Sequence, residues 1–545
     1  MMESQRSRRA VRRTVSPGAR CGVLLLILSA LVLIAAPLAT ATASAAVLAS
    51  RSGDPLAVLS VQQAELNDPL AAVRDDFGSA VALSGATALV AAPDKTVDGH
   101  AGAGIVYVYT RTGTTWSQQA QLNDPAAATN DNFGYAVALD GDTALVGAWA
   151  KTVSGQTDAG AAYVYTRTGT TWTRQATLND PAAAAWDSFG ISVALSGNTA
   201  LVNAEGKTVN GHVDAGVVYV YTRTGTTWSQ QAALSASDAA AHDSFGWPMT
   251  LSGGTALIAA AYRTVDGQSN AGAVYVFKRT GASWLQQAEL SDPDAAANDY
   301  FGWSVALSGD TALVGADGKT VSGQSQAGAA YVYTRSGTTW SQQTELTASD
   351  GAVHDSFGVS VALDGAAALV GADSRTVGGY ANAGAAYVFT RTGTTWSQQT
   401  ELSASDAATD DSFGYPVALS GDTALIGACN KTVSGQSQAG VVYVDALSGL
   451  PPWLSLKAKP ASIKVGKSVT LSGLVKHFLA ADKTVQIERK AGSKLTALKT
   501  LKLTNSGAFT WATKPNKTGK WVFEAAYESG GVSYASKPVT VKVHK

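Results

Sequence analysis

The chain has 545 residues, 46% of them hydrophobic and 15% charged, and its 40 basic and 41 acidic side chains leave a formal net charge of −1. So apolar and weakly charged a composition excludes a disordered chain, and the lack of a basic excess excludes a dedicated nucleic-acid binder. Fifty-five glycines point to many short strands joined by tight turns, and the two cysteines, Cys21 and Cys429, permit no disulfide framework.

At the N-terminus, six arginines between Arg6 and Arg20 precede an uncharged apolar run from Gly22 to Ala36, which gives way to Pro37 and small residues ending at Ala41, Ala43 and Ala45. This is the three-part layout of a secretory signal peptide over residues 1–45, with Ala-x-Ala cleavage options. Its strictly apolar core is shorter than the ~20 residues a membrane span needs. Cleavage, secretion and a mature chain without a transmembrane span are therefore expected, with the general and twin-arginine routes both open after Ser7-Arg8-Arg9. Residues 46–59 read as a short linker, and Cys429 is then the one remaining cysteine.

Phe-Gly next recurs at Phe77, Phe133, Phe189, Phe245, Phe301, Phe357 and Phe413, every step 56 residues. Seven copies without an insertion mean seven equivalent units. The typical copy reads Phe-Gly-x-x-Val-Ala-Leu, a Gly turn, Thr-Ala-Leu-Val-Gly-Ala, a loop with Lys/Arg-Thr-Val, Ala-Gly-x-x-Tyr-Val-Tyr, a Thr-Arg-Thr-Gly turn and Trp-Ser-Gln-Gln. Four strands per copy, A to D, are expected, with Phe-Gly opening strand A. From Phe133 to Leu139 the odd positions are large and the even ones Gly or Ala, giving each sheet one bulky and one nearly flat face. Such sheets stack bulky on flat, and a ring gives each of them two neighbours: an all-β, seven-bladed propeller. A linear solenoid would need polar end caps, and neither end of the array resembles one. The seventh copy stops after Tyr443-Val444 without its Trp-Ser-Gln-Gln strand, whereas Ser60 to Leu66 lies one period before Trp116 to Leu122. This N-terminal strand is expected to complete blade seven, so the propeller spans 60–450.

These repeats, with Leu313-Val314-Gly315-Ala316 and the run from Ala327 to Tyr333 as examples, resemble the FG-GAP repeat family of β-propellers, the type also seen in integrin α-subunit heads, over about 390 residues. The resemblance implies an extracellular binding or adhesion module, or an accessory domain of an exported enzyme. Integrin-like repeats often hold calcium between strands A and B with several aspartates at alternate positions. Here that turn is only Asp140-Gly141-Asp142, Ser308-Gly309-Asp310 or Asp364-Gly365-Ala366, too short to wrap a cation taking roughly six to eight oxygens. Calcium is therefore not carried over, the Asp-Gly content is read as hairpin chemistry, and no cofactor or metal is expected.

After Pro451-Pro452 the composition changes. Residues 453–545 hold 17 basic and 4 acidic side chains, net +13, while 1–45 carry +5 and 46–452 carry −19. The overall neutrality is a cancellation, and the mature chain is near −6 and polarised. Alternating runs such as Thr484 to Glu488, Trp521 to Ala525 and Val539 to Val543 suggest about seven strands, a small β-sandwich over 451–545 that looks like a bacterial immunoglobulin-like domain without paired cysteines. Its lysines read either as a solvated face or as a patch for an anionic cell-wall polymer or glycan. No sorting motif or apolar anchor follows Val543, so any attachment to a cell surface is expected to run through this charge.

In a propeller the D–A and B–C loops share one face, and here they are the long ones, which makes that face the candidate recognition surface. The Asp two places before each Phe (Asp75, Asp131, Asp187, Asp243, Asp299, Asp355, Asp411) and the cation before each Thr-Val (Lys95, Lys151, Lys207, Arg263, Lys319, Arg375, Lys431) occur in all seven copies, so they are read as ordering the loops. The six Trp of strand D, Trp116 to Trp396, read as outer-strand packing. Positions that differ between copies are more informative: Ser79, Tyr135, Ile191, Trp247, Trp303, Val359 and Tyr415 after Phe-Gly, and Pro93, Trp149, Glu205, Ala261, Asp317, Asp373 and Cys429 at the end of strand B. Together with Trp186, Tyr262 and Tyr300 they form an uneven aromatic collection over blades two to five. The candidate ligand-binding residues are Tyr135, Trp149, Trp186, Trp247, Tyr262 and Trp303, with Trp247 and Trp303 filling space between blades and Trp149 and Trp186 meeting a partner. No catalytic triad, His-rich metal motif or phosphate-cradling loop stands above the repeat pattern. The expected function is that of a monomeric, exported, non-catalytic protein whose long-loop face binds a glycan or protein. The alternative is a polysaccharide-active hydrolase or lyase using acid pairs such as Asp75-Asp76 or Asp410-Asp411.

Overall fold

The computed structural model describes residues 58–545 apart from 451–452, 477–483, 492–493, 505–506, 530–531 and 537. The expected signal peptide and nearly all of the linker after it lie outside the described residues. Every regular element among the described residues is a strand. In blade two, strands A to D are Ala136–Asp140, Thr143–Ala148, Ala161–Thr168 and Thr171–Leu178, hydrogen-bonded in that order. Five further sheets repeat the pattern. Blade seven takes Val417–Ser420, Thr423–Ala428 and Val441–Ser448 from the C-terminal end of the array and Leu59–Leu66 from the N-terminal end, paired from Leu59↔Ser448 to Leu66↔Val442 with a register shift between Gln62 and Ala64. The chain thus forms a seven-bladed propeller closed by its own N-terminal strand.

One detail differs from the sequence expectation. Phe-Gly precedes strand A in six blades and belongs to it only in blade three, where the strand is Phe189–Ser196. Gly134 lies at φ +96° and Gly190, inside the blade-three strand, at φ +92°, so the glycine conformation is common to both arrangements and does not set where the strand begins.

Seven apolar clusters among the described residues each lie between two consecutive blades. Leu89, Val106 and Val108 of blade one meet Phe133, Val146 and Tyr163 of blade two. The closing junction is built identically, with Leu425, Val442 and Val444 of blade seven against Phe77, Val90 and Tyr107 of blade one. Each repeat Phe is fully enclosed, Phe133 packing on Tyr163 at 5.4 Å and edge-on to Tyr165 at 6.2 Å. Burial of such a ring contributes ~2–3 kcal/mol, so the seven copies add up to a large share of the ring's cohesion.

Backbone contact sets the spacing between blades. The Phe133 N–H donates to the Ala103 carbonyl at 3.0 Å, and the Phe77 N–H to that of Ala439 at 3.1 Å across the closing seam. The following glycine of each Ala-Gly pair takes a positive φ, and a Cβ on it would fall 2.0–2.2 Å from the next Phe carbonyl oxygen, as at Gly104 and Gly440. At the rim, Arg167 stacks over Trp172 at 5.3 Å and donates to Thr87 of the preceding blade, while Trp172 Nε1 donates to Gln119 there at 3.0 Å. The strand-D tryptophans therefore pack, and Trp172, Trp228, Trp284, Trp340 and Trp396 also link neighbouring blades by this hydrogen bond.

The tail forms two sheets. One orders Trp453–Lys459, Val469–Lys476 and Ala508–Thr513, and the other Ser462–Lys464, Val539–His544, Gly519–Ser529, Thr484–Ala491 and Lys494–Lys502, with Val532–Ala535 on Gly519–Ser529. They enclose Leu456, Val469, Leu471, Val485, Ile487, Phe523 and Val541, a small β-sandwich. Nine strands replace the seven or so expected, because Ser462–Lys464 and Val532–Ala535 are too short to display a period.

Gly440→Ala is expected to destabilise the ring by about 3 kcal/mol or more, since a Cβ 2.0 Å from backbone oxygen at φ +82° cannot be relieved by a side-chain move. Gly393→Ala, at φ +63° with nothing within 4 Å, is expected to cost only about 1 kcal/mol. Denaturant melts of the two variants check the difference.

Candidate functional site

The D–A loop entering each blade packs on the B–C loop of the blade before it, as Asn130 N–H to Ala101 carbonyl at 2.8 Å and Asn132 N–H to Gly102 carbonyl at 3.0 Å illustrate. Within each blade the two loops are joined by charge. The Asp before each Phe meets the cation before Thr-Val in all seven copies, at 2.7–3.1 Å. The same carboxylate accepts the backbone N–H three residues upstream, Ala128 N–H to Asp131 at 2.7 Å for example, so it caps its own loop. Both rings thus order the loops, as the sequence indicated.

Each cation also holds a second acid that sequence reading missed. Lys95, Lys151, Lys207 and Lys319 take Asp68, Asp124, Asp180 and Asp292, whereas Arg263, Arg375 and Lys431 take Asp238, Asp350 and Asp406. The signal was present: where Asn-Asp-Pro or Ser-Asp-Pro gives way to Ala-Ser-Asp, the acid shifts two residues, and in two of those three copies Arg replaces Lys. A longer, forked cation reaches a displaced carboxylate. Burial lowers the Lys151 ammonium, but its hydrogen bonds to Asp124 and Asp131 outweigh that and hold it above its ordinary value. Tyr163 completes the clamp, donating to Asp124 at 2.7 Å.

With the loops fixed in this way, the variable positions converge on the ring axis. Ile191, Trp247, Trp303, Val359 and Tyr415, each following Phe-Gly, form one cluster with Ala261 and Cys429, and Tyr135, Trp149, Tyr262 and Tyr300 pack against it half-buried. Pro93, Trp149, Glu205, Ala261, Asp317, Asp373 and Cys429 follow strand B rather than end it, the strand closing one residue earlier at Ala92 or Ala148. Trp247 lies parallel to Tyr262 at 5.9 Å and edge-on to Trp303 at 5.1 Å, and Tyr135 meets Trp149 at 5.8 Å. Trp247 and Trp303 are buried, at 4% and 2% exposure, whereas Tyr135, Trp149 and Tyr262 keep part of their surface open. Trp186 is not among them. It stands 37% exposed in the D–A loop entering blade three, at the positive-φ position shared with Arg74 and Asn130.

Blade one carries a further feature that only comparison between copies would have revealed. Asp76 is 4% exposed and hydrogen-bonded to Asp94, which also accepts from Asn132 Nδ2 at 2.7 Å. No other copy has acids at both positions; blade two has Asn132 and Ala150 there. Burial, then the Asp94 charge, pushes the Asp76 carboxyl up to about 9, against the weaker opposing pull of Arg74. Asp76 therefore keeps its proton at neutral pH. The acids named for hydrolysis are otherwise engaged, Asp75 by Lys95 and Asp411 by Lys431.

Seven stretches, 61–109, 116–165, 172–221, 228–277, 284–333, 340–389 and 396–444, match the FG-GAP repeat. The chain belongs to the FG-GAP repeat family. No curated protein matches it. Among solved structures it is similar to the dimeric latent PorU of Porphyromonas gingivalis, at 11% identity and a TM-score of 0.17, over 65% of this chain and 32% of that one. The FG-GAP chain thus spans about a third of PorU's length, a likeness too distant to carry a functional argument.

Two outcomes follow from the clamp and the acid pair. Lys151→Met leaves Asp124 and Asp131 buried without their cation and is expected to cost about 3 kcal/mol by denaturant melt. A carboxyl raised in the folded state destabilises that state once the unfolded chain can ionise, so the Asp76 contribution falls as pH rises from about 4 to about 9. Asp76→Asn, the side chain blade two already uses, is expected to abolish that decline and raise stability at pH 8 by about 1–3 kcal/mol, read from melting temperature against pH.

Proposed function

We propose that this FG-GAP protein is an exported, non-catalytic binding module whose long-loop face recognises an extracellular glycan or protein through the aromatic side chains at the ring axis. The observation that carries this reading is the convergence of positions differing from copy to copy onto one half-open aromatic cluster, while the residues common to all copies hold the loops around it. Export rests on the N-terminal sequence pattern alone. The repeat family itself is a binding or interaction fold. Half-buried Tyr135, Trp149 and Tyr262 offer apolar faces with polar edges at low entropic cost, because their neighbours already fix them.

Glycan and protein arrays probed with the mature chain test this. A captured partner is expected to lose affinity about tenfold or more, ~1.4 kcal/mol, with Trp149→Ala or Tyr262→Ala, and little with Trp186→Ala, which lies apart from the cluster. If Trp186→Ala alone abolished capture, the axial cluster would not be the recognition surface.

A further inference from the structure

The second structural unit carries its charge unevenly. Backbone hydrogen bonds bring three of its segments together at one end of the sandwich: the Val465 N–H donates to the His544 carbonyl at 2.9 Å, and the Gly466 N–H to that of Pro515 at 3.0 Å. Gly519 pairs with Val543 and Lys520 with Lys542 across the adjoining strands. The first segment brings Lys464 and Lys467 to this end, the second Lys514, Lys517 and Lys520, and the third Lys542 and the terminal Lys545, every one of them exposed. Residues 453–475, 484–487, 489–491, 494–504, 507–523 and 538–545 contain no acid. The acids of the described sandwich, Glu488, Glu524 and Glu528, lie further along the second sheet, and Glu524 is held by Lys490 at 3.1 Å.

We propose that this end of the sandwich is a docking patch for a flexible, non-aromatic anionic polymer of the cell envelope, a chain bearing repeated phosphodiester or carboxylate groups. The patch contains lysines and no arginine. Ammonium groups act as hydrated point charges that accept any approach, whereas a guanidinium fork selects one bidentate geometry, so the patch suits regularly spaced single charges on a mobile chain. The nearby Trp521 gives its Nε1–H to the Lys517 carbonyl at 3.0 Å and a ring face to Arg489 at 3.9 Å, so that face is already occupied and is not offered to a nucleic-acid base. The patch belongs to a chain whose propeller region is at −19. Net charge therefore opposes polyanion binding, and the local field of the patch has to produce it.

The mature full-length protein, titrated with poly(glycerol phosphate) and separately with polygalacturonate, is expected to bind at least one of them, with affinity falling about tenfold between 50 and 200 mM salt. The two polymers distinguish phosphodiester from carboxylate recognition. Lys464→Gln/Lys517→Gln is expected to weaken binding about tenfold. Lys499→Gln/Lys502→Gln removes the same charge further up the sheet, where Lys499 lies level with Ala525, five residues from Lys520, and is expected to have little effect. Equal losses in the two variants would reduce the effect to net charge and overturn the patch. So would failure to bind either polymer, or binding confined to phosphatidylglycerol vesicles or single-stranded DNA. Because the patch lies outside the propeller, its failure leaves the array result above untouched, and the converse holds.

Discussion

The propeller depends on one constraint: its blades enclose their apolar side chains only against one another. Seven clusters of the ring each take residues from two consecutive sheets, so an unpaired blade would expose a row of Val, Leu and Tyr to water. Closing the ring removes the last such face. The N-terminal strand does this by adding to blade seven, and the contact at the seam copies the other six down to the glycine: Gly440 approaches Phe77 as Gly104 approaches Phe133. Backbone set against backbone at that spacing admits no Cβ, which is why Ala-Gly recurs, and the positive φ of the Phe-Gly glycine favours glycine there as well.

A rigid ring with fixed loops leaves a few positions at liberty. The Asp–cation–Asp clamp fixes each D–A loop to the B–C loop of its own blade, with a capped backbone N–H, an ion pair and a tyrosine hydroxyl acting on the same carboxylates. These hydrogen bonds and ion pairs offset the desolvation that burial imposes on the charges. The clamp places the residues after Phe-Gly and after strand B on the axis whatever their identity, so aromatic, aliphatic and acidic side chains occupy equivalent sites in different blades. Sevenfold repetition of the scaffold and heterogeneity at the axis thus go together.

The two units differ in charge as much as in shape. The propeller region is strongly acidic, yet many of its acids are consumed internally by the clamps, whereas the lysines at one end of the sandwich are exposed and, among the described residues, form no ion pair with an acid. A composition that looks neutral as a whole thus conceals two units of opposite net charge.

Much of this was legible in the sequence. The 56-residue period, the large-small alternation and the displaced strand at residues 60–66 determined the number of blades and how the ring closes, because these features depend on spacing, which sequence records directly. The roles of Asp131 and Lys151 were likewise readable, since repetition marks scaffold. Other features required the folded chain. Phe-Gly lies before strand A in six blades and within it in blade three, although the motif is the same in all seven and the glycine takes a positive φ in both cases. Trp149 and Trp186 look alike in sequence, but one joins the axial cluster and the other stands outward on its loop, a difference set by backbone direction. The Asp76–Asp94 contact and the lysine-rich end of the sandwich arise between segments distant along the chain, and only tertiary structure decides which distant charges become neighbours.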